Sequence, residues 1–155
     1  DAAGPRTKST APSKTQPTSA DPSKVLGVGQ IYRRTDLHGR FGGNPQTGIS
    51  YPAKGNFALL FSDPNAAHLH GYRDRWQEGT YRYYGAWSGQ GDMELTAHNR
   101  VVQDRSPNLY LLQKAGDQWR YLGRFECLSV EPERTVRDGR ESRAIVFVLR
   151  PVGPG

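Results

Sequence analysis

The stretch LYLLQKAGDQWRYL, residues 109–122, decides the fold class. Two runs rich in Leu, Tyr and Trp flank Ala115-Gly116-Asp117, and apolar runs around a short Gly-containing turn predict a β-hairpin. Toward the C-terminus, Phe125–Val130 and Arg143–Leu149 (RAIVFVL) read as two further strands. A polar turn containing Asp138-Gly139 separates them. Toward the N-terminus, Thr80–Trp87 is rich in aromatics, Phe57–Phe61 is a short apolar run, and Val28–Arg33 is another strand candidate. Helical periodicity is confined to two short segments. One is Thr35–Gly39, with Thr35 or Asp36 as N-cap. The other is Leu95–Asp104, where Leu95, Asn99 and Val102 share one side. Many short strands, 18 glycines and little helix predict a β-rich α+β domain: a twisted, partly closed barrel with short helices.

The chain has 155 residues, enough for one domain with a tail. Lys and Arg number 21 against 15 Asp and Glu, a formal charge of +6, and the mean hydropathy is -0.76. No apolar run approaches the roughly 20 residues of a membrane helix. No apolar signal-peptide core opens the chain, so an intracellular place and no membrane partner are expected. A single cysteine, Cys127, excludes an internal disulfide framework and a multi-Cys zinc site. Residues 1–24 contain four Pro and no aromatic, Leu, Ile, Val or Met. Such a segment cannot bury enough surface to offset its ordering entropy, and it is expected to be a disordered linker to a domain upstream. The folded domain is expected over 25–155, where all three Trp, eight Tyr and five Phe lie. Its bases are nearly all Arg, whose planar fork suits phosphates and guanine edges; a GC-rich genome produces the same bias.

A catalytic set is hard to assemble. Cys127 sits in an apolar strand pattern, where an inert thiol is the default. His68-Leu69-His70 offers two ligands with no third at metal-site spacing. The acids occur singly, and no phosphate-cradling glycine motif comes after a strand. No catalytic residue, metal or cofactor is therefore expected.

The richest stretch is Gly71–Asp92, GYRDRWQEGTYRYYGAWSGQGD. It interleaves six rings with Arg73, Arg75 and Arg82. On a strand, Tyr81 and Tyr83 share one face and Arg82 and Tyr84 the other. Rings with Arg forks form a surface on which bases stack while phosphates are held, at ~1–3 kcal/mol per stacked base. Any single ring serves a core equally well.

In order along the chain come LHGRFGG and GI (Leu37–Ile49), the apolar run Phe57–Phe61, GY-x-D (Gly71–Asp74), YYG-x-x-SGQGDM (Tyr83–Met93) and LTAHNR (Leu95–Arg100). This order resembles the SET- and RING-associated (SRA) domain, a PUA-like fold that reads modified cytosine in DNA. It is most similar to the SRA-like modules of bacterial modification-dependent (type IV) restriction enzymes that end in an HNH nuclease. The likeness covers residues 28–150 and implies a module that flips the modified base out of the duplex. Flipping costs a few kcal/mol of stacking and pairing, which the pocket must return. The resemblance implies Tyr72 and Tyr83 as the sandwiching rings and Asp74 as the acceptor for the exocyclic amine. It implies a recess for the C5 substituent near Tyr84 and Gly85. The remaining contacts are expected at phosphates, from Arg33, Arg34, His38, Arg40, Arg73, Arg75, Ser88, Gln90, Asn99 and Arg100, with the amides of Gly42, Gly43 and Gly89 close by. Asn99-Arg100 matches the family's Asn-Arg after a short helix.

The expected function is thus a non-enzymatic sensor of modified cytosine, most simply 5-methylcytosine, in double-stranded DNA. The resemblance further implies a covalently linked HNH nuclease domain, a role in bacterial defence, and a cytoplasmic place on the nucleoid. An RNA-binding PUA-like module and a protein-interaction β module are the alternatives. The former fits the same rings and charge; the latter predicts no nucleic-acid affinity.

Overall fold

The predicted hairpin is the centre of the sheet. A computed structural model describes residues 21–64, 73–87, 91–95 and 98–153. Strand β6 (Leu109–Ala115) turns at Gly116, whose φ of 67° is left-handed, into β7 (Gln118–Arg137). Strand β7 then pairs antiparallel with β8 (Arg140–Pro151) through Asp138-Gly139. Both turn residues have positive φ (52° and 78°), the geometry that matches strand twist in a two-residue hairpin. The segments 118–122 and 125–130 are one strand and not two. Leu122 and Leu128 are each skipped in the pairing register, so β7 bends at two bulges without breaking.

Upstream elements add to this frame. They are α1 (Pro22–Val25), β1 (Ile31–Tyr32), α2 (Arg34–Phe41), β2 (Ile49–Ser50), β3 (Ala58–Ser62), β4 (Arg75–Gln77), β5 (Thr80–Tyr84) and α3 (His98–Asp104). One open eight-stranded sheet runs β2-β3-β6-β7-β8-β5-β4, with β1 on β7. Every pairing is antiparallel except β3 with β6. The architecture is α+β and strand-rich, as expected, and the sheet curves without closing.

The run ALLFS of β3 is buried at every position because both faces of the sheet are covered. Ala58 and Leu60 join Leu109, Leu111, Phe125 and Phe147 on one face, where Val102 of α3 packs. Leu59 and Phe61 join Tyr110, Leu112, Trp119 and Tyr121 on the other, under Leu37 and Phe41 of α2. Tyr81 and Tyr83 share the first cluster, whereas Tyr84 lies with Met93, Ala144 and Val146, as strand alternation requires.

Several boundaries differ from expectation: β1 is only Ile31–Tyr32, β5 ends at Tyr84 and not at Trp87, and α3 runs His98–Asp104 with Leu95 outside it. Helix α2 begins one residue after Arg33, which makes no side-chain cap; Thr35 and Asp36 lie inside the first turn. There Asp36 faces the positive end of the helix dipole. At the N-terminus, Asp21–Lys24 fall within the described, packed chain. Asp21 caps α1 by accepting from the Ser23 amide (2.9 Å) and from the Tyr110 hydroxyl (2.7 Å), and Pro22 is buried.

Candidate functional site

A cleft of about 240 Å³ opens where β5 ends. Its wall is drawn from α2 (Arg34), β2 (Ile49), β3 (Phe61), the end of β5 with the two residues after it (Tyr83–Ala86), β7 (Trp119), and two carboxylates, Asp63 and Asp74.

Asp74 is the chemically unusual group. It is 8% exposed. One carboxylate oxygen accepts from the Tyr84 amide (2.9 Å) and the other from the Ser62 hydroxyl (2.6 Å). A carboxylate has about four lone-pair sites, so two remain among the described residues. Burial pushes its pKa up to about 7, against the opposing pull of the Ser62 hydrogen bond and of Arg75; the neighbouring Asp63 adds to the rise. Since the Ser62 proton goes to Asp74, the contact between Ser62 and Tyr81 (2.7 Å) has Tyr81 donating. Gln113 donates in turn to Tyr81 (3.3 Å). This chain of donors holds one rotamer of Asp74 from behind.

Tyr83 belongs to the core and to the cleft wall at once. Only 2% of it is exposed. Its hydroxyl is held by the Gly48 and Phe61 carbonyls, both at 3.1 Å, which fixes the ring. Tyr84 borders the cleft, but its ring packs on the opposite face of β5 with Met93 and Val146. The expected recess at Tyr84 is therefore not built by that ring. Gly85 is constrained from behind: a Cβ there would lie 2.5 Å from Asn99 Oδ1 and 3.2 Å from Phe147.

The cation of the cleft is Arg34. Its guanidinium lies 3.7 Å from the centre of the Phe61 ring. Its Nε donates to His38 Nε2 (2.9 Å), and its Nη2 donates to the carbonyls of Asn44 (3.0 Å) and Thr47. Arg can only donate, so His38 Nε2 accepts and its proton sits on Nδ1, donating to the Gly42 carbonyl (2.8 Å). Burial lowers the Arg34 pKa to about 10, leaving it charged at neutral pH. Burial, with the Arg34 charge, also lowers that of His38 and keeps it neutral.

The expected phosphate contacts divide. His38 is a strut for Arg34, with both ring nitrogens engaged, and not a free contact. Asn99 is corrected likewise: it is 3% exposed. Its Oδ1 accepts from the Ala86 amide (2.6 Å), and its Nδ2 donates to the carbonyls of Ala86 (2.9 Å) and Glu94 (2.7 Å), so the side chain is fully engaged. Arg75 pairs with Glu133 (3.1 Å) and Arg33 with Asp36 (3.4 Å). Gly43 packs on Ser50, and the Gly42 amide donates to the His38 carbonyl. Arg40, Arg73 and Arg100 are exposed and carry no ion pair among the described residues. Tyr72, Ser88, Gln90 and Gly89, like His68 and His70, lie outside the described residues. Cys127 is half-buried, and burial pushes its thiol up to about 11, far from a neutral-pH nucleophile. Among the described residues no three His, Cys, Asp or Glu side chains group as metal ligands.

Ser62, Tyr81, Gln113 and Trp119 had no place in the expected site. Strand alternation puts Trp119 and Tyr121 on one face, but sequence does not show that Phe61 and Arg34 meet them there.

The open, strand-rich sheet is the fold of solved SRA domains. The family model for the ScoMcrA-like SRA domain matches residues 28–154, and the chain belongs to that family. No curated protein sequence matches it. Similar solved structures include the sulfur-binding and SRA domains of ScoMcrA with phosphorothioated DNA: TM-score 0.65, 20% identity, 83% of this chain and 40% of that one. The SUVH5 SRA domain with hemimethylated CG DNA gives 0.61 at 20% identity over 84% and 90%. The DNA recognition domain of LpnPI, a cytosine modification-dependent restriction endonuclease, gives 0.59 at 13% identity over 79% and 71%. The chain spans 25% of the type IV phosphorothioation-dependent restriction endonuclease ScoMcrA.

Proposed function

We propose that this domain reads modified cytosine, with 5-methylcytosine as the reference substrate, by taking the base from duplex DNA into the β5 cleft. The observation that carries this reading is Asp74: a buried, pre-oriented carboxylate at the wall of a cleft, with two acceptor sites unfilled among the described residues. The exocyclic amine of cytosine is a donor for it; thymine offers a carbonyl oxygen at the same place. Tyr83 supplies one ring face and Tyr72, by the family likeness, the other. Two stacked faces at ~1–3 kcal/mol each and a charge-assisted hydrogen bond at roughly 1.5–3 kcal/mol match the few kcal/mol that eversion costs. Arg34 adds a positive charge to a cleft that otherwise holds two acids. Arg40, Arg73 and Arg100 are available for phosphates.

In this reading the chain is the sensing module of a type IV restriction endonuclease of the bacterial cytoplasm. Cleavage belongs to a linked HNH domain. The test is a titration of one duplex, with and without a single 5-methylcytosine, at fixed ionic strength. A clear preference for the methylated duplex that structured RNA does not compete away supports the reading. Equal affinity for the two duplexes overturns it.

A further inference from the structure

The β7–β8 hairpin continues well past the sheet. Strand β5 pairs with β8 only over Val146–Leu149, and β6 with β7 only over Gln118–Phe125. From Pro132↔Ile145 to Arg137↔Arg140 the two strands pair in the ladder only with each other; the chain after β5 adds single bonds along β8, from the Gly85 amide to the Ile145 carbonyl, from the Met93 amide to the Arg143 carbonyl, and from the Arg143 and Ile145 amides to the Asp92 carboxylate and the Met93 sulfur. Six pairs at about 3.4 Å make a ribbon roughly 17–20 Å long. One face of this ribbon packs on the domain, where Ala144 and Thr135 are buried and Glu133 pairs with Arg75, so it is the open face, with Arg134 and Arg143, that calls for another reason.

The register supplies one. Arg134 stands directly opposite Arg143, and Arg137 directly opposite Arg140. Like charges at directly opposed positions destabilise a ribbon. Residues 134–143 hold four Arg against Asp138 and Glu141. The Arg134–Glu141 pair (3.1 Å) is among the most exposed on the molecule, with 80% of the Arg134 side chain open, and a pair so exposed contributes little. Arg143 reaches Asp92 only at 3.7 Å, and Arg140 has no ion pair among the described residues. At the tip, beside the Asp138-Gly139 turn, Arg137 lies over the Trp87 ring at 4.4 Å.

Position gives the ribbon its partner. The Gly85 amide donates to the Ile145 carbonyl (2.8 Å), so the cleft strand ends where the ribbon begins. β5 and β8 are antiparallel, and the ribbon therefore projects past the cleft end of β5. We infer that the ribbon is a second DNA-binding element, which lays Arg134 and Arg143, side by side on its open face, on the duplex beside the everted nucleotide, with Arg140 at the tip. The Arg fork suits phosphate, and the major groove admits a two-stranded ribbon. Its length equals the rise of roughly six base pairs. This inference rests on the proposed DNA-reading function for its choice of partner.

The test compares the full chain with its R134A/R140A/R143A variant on 20-base-pair duplexes, with and without one central 5-methylcytosine, across a salt series. The variant binds both duplexes roughly tenfold to a hundredfold more weakly at 0.1 M salt, with its methyl preference unchanged. Its slope of log affinity against log salt is shallower by about two to three. Cutting the duplex to two base pairs on one side of the modified base abolishes the difference between parent and variant; cutting the other side does not. A uniform charge effect lacks that asymmetry. Melting temperature reports the fold, and an Arg→Gln triple variant replaces the alanine one if that melts early. Parental affinity and slope in a folded variant overturn the inference and leave the cleft reading intact. A parent that binds duplex without methyl preference, while the variant loses affinity with the same one-sided length dependence, overturns the cleft reading and supports the ribbon. A parent with no duplex affinity overturns both.

Discussion

Replacing Asp74 by Asn changes the charge of the cleft and almost nothing else. The Asn carbonyl can still accept from the Tyr84 amide, and its amide can donate to Ser62, whose proton then turns to Tyr81. The raised pKa of about 7 has two consequences. The folded state holds a proton that the unfolded chain releases near pH 4, so folding stability falls as pH rises from about 4 to 7 and stays low above. The size is on the order of 4 kcal/mol. In the Asn variant this fall disappears, and at pH 8 the variant unfolds at a higher denaturant concentration than the parent. Binding moves oppositely. The ionised carboxylate is the form that accepts the cytosine amine, so affinity of the parent for methylated duplex rises roughly tenfold from pH 6 to pH 8. The Asn variant loses this dependence and binds the methylated duplex roughly tenfold to a hundredfold more weakly, for want of a charge-assisted hydrogen bond. Fluorescence anisotropy at fixed ionic strength, at four pH values between 6 and 8, measures both. Asp63, Arg34 and Arg75 lie near this carboxyl in parent and variant alike, so the difference between the two curves belongs to Asp74. A stable variant with the parent's affinity and pH profile refutes the assignment.

Other side chains yield sharper structural tests. Asn99→Ala deprives the Ala86 amide and the Ala86 and Glu94 carbonyls of their partner and lowers stability by about 1–3 kcal/mol in denaturant unfolding, with phosphate contacts untouched. Gly85→Ala forces Asn99 aside and is similarly costly alone, but in the Asn99→Ala background the added methyl has room, so a double-mutant cycle gives a coupling above about 1 kcal/mol. Tyr83→Phe removes the bonds to Gly48 and Phe61 but keeps the ring. Stability falls by about 1 kcal/mol and methyl preference survives, whereas Tyr83→Ala opens a core cavity and loses both.

The elements were legible where side chains alternate or run apolar. Phe57–Phe61, Leu109–Lys114 and Arg143–Leu149 announce buried strands, and Gly116 and Asp138-Gly139 announce their turns. The ribbon was not legible. EPERTVRDGRES reads as a polar turn, but backbone pairing needs no apolar side chain, so the strands run on to Arg137 and Arg140. Asn99 is instructive because its direction was already in the pattern. Asn99 and Val102 share one side of α3, and the side that buries Val102 also buries Asn99. A phosphate contact there conflicts with its own periodicity; the neighbouring Arg100 faces out. The donors behind Asp74 were beyond sequence, since Ser62 and Gln113 meet only through the parallel pairing of β3 with β6, and Tyr81 reaches them from β5, which pairs with neither strand.

A carboxyl that titrates near pH 7 also sets how sharply the cleft tells cytosine from thymine. Ionised, Asp74 attracts the cytosine amine and repels the thymine carbonyl, which leaves both partners unpaired in a buried place. Protonated, it becomes a donor, and the carbonyl of thymine is then an acceptable partner. Discrimination therefore has a direction in pH: large at pH 8 and smaller at pH 6, while absolute affinity for DNA phosphates barely moves over this range. Competition between duplexes carrying 5-methylcytosine or a mispaired thymine at one position reads the ratio directly. A mispaired base lowers the eversion cost for thymine, so the comparison favours it and a persisting cytosine preference is the stronger result. The preference for cytosine should narrow by roughly tenfold from pH 8 to pH 6. If the ratio is the same at both ends, the acceptor for the base is not Asp74. The burial of that carboxyl would then be a cost to stability with no return in recognition.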